Sequence, residues 1–575
     1  LGDVYKRQIL LATLLAMVST ACDDALNLDP LDQIGGNKMW RNAADYKQFA
    51  NNFYGWTRDF SSVLDGWHQD RTSDLITYQT YNDVSHGSNT IPSSDGDYTN
   101  NYKNIRRCNM LLKNAENYRN PDEIAQYRGE AYFFRAYCYY ELLQKFGDVV
   151  VTTEVLDVNS PEMNQKRNDR SEVISLIVDD LLNAAELLPK FSAIEDGYAR
   201  ISSEGAYAFL SRAALYEGTW QKYRGNSENA ARLLDIAADA ARKVIDSGQF
   251  ALFGTEGKSR ELGDSAYKYM FILENDRSNP AGAVKSDNHE YIFAREHDQN
   301  IKPIGTNITK GCLNNVFWVT YKFAGMYLCQ DGLPKEKSHV FKGYQGKADE
   351  FKNRDNRMRC TLLMPGQRYF SNAAGKFRVT WDKQDYANPT GSYVYNGSAC
   401  YANQKYATER DVPDRSEAYD FPIIRYAEVL LNYAEAVYER DGAISDSDLD
   451  ISLNRVRNRA NPEMPKLSAA FAAANGLDML EEIRRERTVE LFLEGFRLDD
   501  LKRWKTAETE MPQDMLGVKV KGTAYEADNM KNPLDADGRV ILESGRRWAP
   551  KNYLFPIPND QLQLHPNLGQ NPGWE

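Results

Sequence analysis

The segment 126–146, QYRGEAYFFRAYCYYELLQKF, decides the fold class. Ala131, Phe134, Cys138 and Leu142 recur at spacings of three and four, which lines them along one face of a helix. Gly147-Asp148 follows as a C-cap. Working outward, 171–188, 202–220 and 230–247 carry the same period. Ser171 and Ser202 open the first two and Asn229 precedes the third, while Pro189 follows the first and Gly248 the last. Helices of this length, paired at intervals of about 35–60 residues, predict a helical repeat of tetratricopeptide type with irregular insertions. Ala206, Ala208, Ala213 and Ala214 are small enough to let neighbouring helices approach closely.

The pattern changes between 251 and 420. Gly, Pro, Asn and Asp punctuate short aromatic runs such as NNVFWVTYKFAGMYL at 314–328 and KFRVTW at 376–381. These predict long loops, short helices and one or two hairpins. Long loops on a rigid body tend to carry function. Helical patterning returns at 421–440, 447–459 and 477–504. In the last, Val489, Phe492, Leu493 and Phe496 form a stripe within a single predicted helix. Glu486, Glu490 and Glu494 could be general acids or metal ligands there. As many Arg as Glu are interleaved and no His is near, so the reading is an Arg–Glu network.

Composition narrows the function. Hydrophobic residues make up 42% of the 575, enough for a large core. The net charge of −12 argues against nucleic acid, which needs a basic face. Tyr is abundant, at 35 residues. Its flat face and hydroxyl suit sugar or peptide contacts and equally suit packing in helical repeats. Cys108, Cys138, Cys312, Cys329, Cys360 and Cys400 show no C-x-x-C spacing and no His cluster, so zinc is not expected. Cys108 and Cys138 fall on apolar helix faces, and most thiols are expected to be free. Asp95-Gly96-Asp97 lacks the pattern of a calcium loop and reads as a polar turn. No metal or cofactor is expected.

Residues 9–18, ILLATLLAMV, are too short to span a bilayer, which takes roughly 20 residues. They fit the core of a secretory signal, with Lys6 and Arg7 before and Ser19-Thr20-Ala21 after. The opening LGDVYKRQ otherwise fits a native leader poorly. Cys22 at the first position after the cut resembles the lipidated cysteine of a bacterial lipoprotein, although Ser19 stands where such proteins usually carry an aliphatic residue. The expected organisation is a signal peptide at 1–21, a lipidated Cys22 and tether to 45, a helical region at 46–250, a loop-rich region at 251–420, and a C-terminal helical region at 421–575.

Several segments together resemble the SusD/RagB family of Bacteroidetes outer-membrane lipoproteins. They are FPIIRYAE at 421–428 with YAEA at 433–436, LNRVRNRA at 453–460, IRRERTVELFLEGFRLDDLKRW at 483–504, and LFPIP at 554–558 with QNPG at 570–573. Upstream, YKNIRRCNMLL at 102–112, EAYFFRAY at 130–137, VIDSG at 244–248, DGLP at 331–334, RDNRM at 354–358 and LDP at 28–30 also fit. The resemblance covers essentially the whole mature chain. It implies a mainly α fold, with about four tetratricopeptide-like helix pairs and a loop-rich, slightly β ligand-binding region packed on them. It also implies a surface lipoprotein, without catalysis, that captures oligosaccharide for a SusC-like TonB-dependent transporter. A glycan-degrading enzyme or a purely protein-binding scaffold are the alternatives, though no nucleophile elbow, H-E-x-x-H or phosphate loop is present.

Sugar capture needs exposed aromatic faces and planar polar groups on loops. Two stretches qualify, 65–102 and 289–321, and in the family the ligand site is built from roughly these parts of the chain. The candidate ligand residues are Trp67, Asp70, Arg71, Tyr78, Tyr81, Tyr98, Asn314, Trp318 and Tyr321, of which Trp67, Tyr78 and Trp318 stand first.

Overall fold

The computed structural model describes residues 39–61, 66, 68–78, 80–157, 159–306, 308–309, 317–346, 348–364, 400–408, 415–526 and 532–575. Cys22, Trp67, Cys312, Asn314 and the 376–381 run lie outside them.

Ten helices carry the architecture: α1 (Ala43–Asn51), α2 (Gly96–Ala115), α3 (Ala125–Phe146), α4 (Arg170–Leu187), α5 (Ser203–Lys222), α6 (Ser227–Asp246), α7 (Tyr426–Asp441), α8 (Leu453–Ala460), α9 (Met479–Glu490) and α10 (Arg497–Arg503). The long helices form a mainly α, tetratricopeptide-like array. From α2 to α6 each packs on the next in sequence. After α6 the chain leaves the array and returns with α7, which packs on α6, α5 and α9. The first-read helix is α3, and Gly147 ends it at φ 78°, with its N–H donating to the Leu143 carbonyl. The single apolar face was too narrow a reading. Phe133, Tyr137, Tyr139, Tyr140 and Leu143 are buried as well, because α3 has neighbours on several sides. α6, by contrast, buries one face, Leu233, Leu234, Ala237, Ala241 and Val244. The small residues act as expected. Ala206, Ala208, Ala213 and Ala214 on α5 are fully buried, and a Cβ on Gly218 would stand 3.0 Å from Leu234 Cγ.

Buried ion pairs tie successive helices. Arg135 of α3 meets Asp180 of α4 at 2.7 Å, Arg170 of α4 meets Glu217 of α5 at 2.5 Å, and Arg212 of α5 meets Glu428 of α7 at 2.6 Å. Each guanidinium donates through two nitrogens to one carboxylate, the geometry that best offsets desolvation. The closing motif docks on α3: Asn571 donates to the carbonyls of Phe146 and Phe555.

The strands are short. β1 (Ile76–Thr77), β3 (Trp318–Val319) and β4 (Tyr401–Ala402) form one antiparallel sheet in the order β1-β3-β4. β2 (Tyr291–Arg295) pairs with β5 (Phe421–Arg425), and β6 (Met515–Lys519) with β7 (Arg539–Glu543). One sequence expectation needs correction here: residues 421–425 are strand rather than helix. Among the described residues of 251–420 the strands pair over long separations, with one local antiparallel bridge between Asp298 and Lys302.

The predicted helix over 477–504 is also two helices. α9 ends at Glu490, and the chain turns through Leu493 (φ 62°) and Gly495 (φ 79°) before α10. Val489, Phe492 and Leu493 of the stripe are buried and Phe496 half-buried, but the last three lie beyond the end of α9. A left-handed Leu costs on the order of 1 kcal/mol. It is held because its N–H donates to the buried Asp70 carboxylate at 2.6 Å. Likewise 447–459 breaks at Ser452 into Asp446–Ile451 and α8.

Beneath this turn lies the Arg–Glu network. Arg425 donates to Glu494 at 2.7 and 2.8 Å, to Glu490 at 2.7 Å, to Glu290 at 2.8 Å and to the Glu490 carbonyl at 2.8 Å. Arg357 and Arg459 also pair with Glu490, Arg457 with Glu486, and Lys405 with Glu494. Burial works against ionisation of Glu490, and Arg459, Arg425 and Arg357 reverse it, holding its carboxyl far below the usual range. These glutamates are structural partners. Cys108, Cys138, Cys329 and Cys360 are buried free thiols.

Candidate functional site

The β1-β3 pairing brings the two singled-out stretches together. Ile76 lies opposite Val319 and Thr77 opposite Trp318. Thr77 is fixed from below, its hydroxyl donating to Glu543 at 2.5 Å. The next residue, Tyr78, is half-buried, and its ring meets Trp318 edge-to-face with centroids 5.8 Å apart. The Arg71 guanidinium stands 5.1 Å from the Tyr78 ring and donates to the Thr80 carbonyl at 3.3 Å. Arg71, Tyr78 and Trp318 thus form a partly exposed aromatic and cationic cluster at the sheet edge. Tyr81, 53% exposed, lies nearly parallel on the His86 ring at 4.1 Å. His86 Nδ1 is 3.1 Å from the same Glu543.

Two buried aspartates peg this region to the scaffold. Asp70, 2% exposed, accepts the Leu493 N–H described above, and burial pushes its carboxyl up to about 7. Asp74 takes both arms of Arg497 at 2.8 Å and the Lys322 ammonium at 2.5 Å. Burial alone would raise its pKa, but Arg497 and then Lys322 pull it well below the carboxylate range. The structure buries two of the candidates. Asp70 is an anchor. Tyr98, 4% exposed, is a core residue of α2 against Phe146 and Tyr102.

Tyr321 opens a short helix, Tyr321–Met326, whose N-cap is Thr320. It lines a neighbouring cleft of about 340 Å³ with Asp74, Lys322, Lys335, Glu510 and Arg539. Its hydroxyl is 3.0 Å from that of Tyr344, and the Lys335 ammonium sits 3.9 Å from its ring centre. His86, Lys335 and Tyr344 were missed in the sequence. No local pattern marks them: Lys335 and Tyr344 meet Tyr321 only through tertiary packing, and His86 is held under Tyr81 by Glu543 from far along the chain. Among the described residues no group of three His, Cys, Asp or Glu could hold a metal ion, and no helix is long and apolar enough to cross a membrane.

The family model for the SusD family matches residues 281–574, and a second, described as "Starch-binding associating with outer membrane", matches 31–215. The chain belongs to the SusD family. A SusD-like protein of Formosa agariphila is 22% identical over 262 residues, which cover 43% of this chain and 46% of that protein. The chain thus matches about half the length of that relative. Among solved structures, a SusD-like carbohydrate-binding protein of Bacteroides fragilis is similar at a TM-score of 0.70 and 22% identity, covering 92% of this chain and 99% of the other. Surface glycan-binding protein A of Bacteroides fluxus is similar at 0.59 and 20%, covering 92% and 99%. At these identities the likeness establishes a shared SusD fold.

Proposed function

We propose that this SusD-family protein binds an oligosaccharide, without catalysis, on the aromatic edge of the β1-β3-β4 sheet, and delivers it to a SusC-like TonB-dependent transporter. The observation that carries the reading is the Tyr78–Trp318 pair. Two aromatic rings drawn from stretches some 240 residues apart are held at one sheet edge, half-open to solvent, beside the donors of Arg71. Apolar sugar faces pack on such rings while a guanidinium forks onto hydroxyl pairs. Tyr81 and Tyr321 extend this surface, and Trp67 and Asn314 belong to the same two stretches of sequence. The names of the solved relatives support a carbohydrate ligand.

The test begins with a glycan array, followed by calorimetry on the best ligand. Trp318→Ala and Tyr78→Ala should each weaken binding by about tenfold, the size of one lost aromatic contact. Unchanged affinity in both variants would refute the site. The description of the second family model supports an outer-membrane location, with Cys22 as the lipid attachment. Cys22→Ala should move the protein to the soluble fraction in a strain lacking the transporter. Retention in the membrane would rule out that anchor.

A further inference from the structure

A second cleft, of about 560 Å³, lies on the outer side of α2. The core stripe of that helix is Tyr98, Ile105, Cys108 and Asn109. Another stripe, Asp97, Asn100, Asn104 and Arg107, runs along the same helix at spacings of three and four and lines the cleft, together with Asn101 and Lys103. The facing wall is residues 55–58, with the half-buried Trp56 ring packed on Phe53 at 4.7 Å. Tyr137 and Glu141 of α3 also line it.

The charges around this cleft are unevenly used. Glu141 is saturated: it takes Arg58 at 2.9 Å and His68 at 2.5 Å. Against the burial that would raise it, Arg58 and then His68 hold its carboxyl at about 2. Burial and the neighbouring Arg58 keep His68 neutral at pH 7, lowered to about 3. Asp97 is paired with Lys145 at 2.6 Å. Lys145 also meets Asp95 at 2.8 Å, so both described carboxylates of the lining already have cationic partners, Asp97 by sharing one. Among the described residues, Lys103 and Arg107, both exposed, have no carboxylate or hydrogen-bond partner, and neither do the side chains of Asn100 and Asn104. Lys103 and Arg107 also stand at i and i+4, where like charges repel along a helix. What sets this pair apart is its setting: two unpaired cations one helical turn apart share a cleft with unpaired amides and an indole, donors and a flat face that an anionic ligand would use together.

We propose that this cleft is a second carbohydrate subsite selective for an acidic sugar unit. The sugar ring lies against Trp56, the hydroxyls meet the amides of Asn100 and Asn104, and the carboxylate or sulfate sits between Lys103 and Arg107. This rests on the glycan-binding reading above and adds a ligand class to it.

The test is calorimetry on the full mature chain with three oligosaccharides of equal length: neutral, uronate-containing and sulfated. Wild type should prefer at least one acidic ligand over the neutral one by roughly tenfold, and added salt should erode that preference. The paired substitution Lys103→Gln with Arg107→Gln should abolish the preference while neutral binding persists. Trp318→Ala should weaken the neutral ligand and leave the preference. Comparing the uronate and sulfated arms identifies which anion the subsite takes. Both cations are exposed, so the variant is expected to keep its melting temperature, which is measured alongside. A neutral ligand bound as tightly as both acidic ones, or full acidic affinity in the paired variant, overturns this inference and leaves the glycan-binding reading standing. No binding of any glycan by wild type overturns both.

Discussion

Arg425→Met should be among the most damaging single changes in this protein. Arg425 is 1% exposed and makes five hydrogen bonds, four to the carboxylates of Glu290, Glu490 and Glu494 and one to a backbone carbonyl. Methionine fills much of the volume but leaves the buried acidic side one positive charge short. Removing one partner of a buried ionic group typically costs about 3–5 kcal/mol. Lys405, Arg357 and Arg459 still reach Glu494 and Glu490, which keeps the expected cost inside that range rather than beyond it. Arg425→Lys keeps the charge but loses the fork, and at about 1 kcal/mol per net bond lost it should cost about 2–3 kcal/mol. Adding Glu494→Gln to Arg425→Met should recover part of the loss by removing the surplus negative charge. Urea unfolding followed by tryptophan fluorescence and circular dichroism reads these differences as midpoint shifts. A loss below about 1 kcal/mol for Arg425→Met, or no recovery in the double variant, would refute the view that charge balance holds this region together.

Gly495→Ala should destabilise by more than about 2 kcal/mol, because its φ of 79° disfavours a side chain and the new Cβ would stand 2.7 Å from the His68 carbonyl oxygen. A melting temperature within a degree of wild type would contradict that geometry. Acid should weaken the fold between about pH 4.5 and 2. Glu141, partly buried, and Glu435, fully buried, are held at about 2 by Arg58 and His68 and by Arg503 and Arg487 respectively, so their contribution is present above the unfolded pKa and is lost as pH falls through the folded one. A flat melting temperature from pH 5 to 2.5 would exclude this. Asp70 runs the other way: raised by burial to about 7, it favours the fold at low pH and loses that contribution as pH climbs from about 4 through 7. Asp70→Asn should therefore be more stable than wild type at pH 8 and close to it at pH 4. Equal offsets at both pH values would rule out the titration of Asp70.

The scaffold was legible where period and punctuation agreed. α4, α5 and α6 lie within a few residues of their predicted spans because the apolar spacing is uninterrupted and Asp169 and Ser202 cap two of them. The break after Glu490 was not legible. Val489, Phe492, Leu493 and Phe496 keep helical spacing, and only the Asp70 carboxylate, more than 400 residues away, makes the left-handed Leu493 tenable. The Phe421–Arg425 strand was hidden for a similar reason, since its partner β2 lies some 130 residues upstream. At the candidate site, residue type separated aromatic loops from helical stripes. It could not separate Tyr78, on the sheet edge, from Tyr98, two residues into a core helix. That distinction depends on what α2 packs against, which no local window contains.

The return of α7 onto α6 has a bearing on how the molecule is made. Translation delivers α6 with Leu233, Leu234 and Val244 ready for burial, yet one of its neighbours is still some 180 residues from being synthesised. A nascent chain that has reached residue 300 is thus an unfinished stack with a bare end, exposed to association with other chains while it waits. Closure depends on a long-range docking step, which slows folding more than local helix formation does. A chain interrupted before 426 would leave uncovered the side of α6 on which α7 packs.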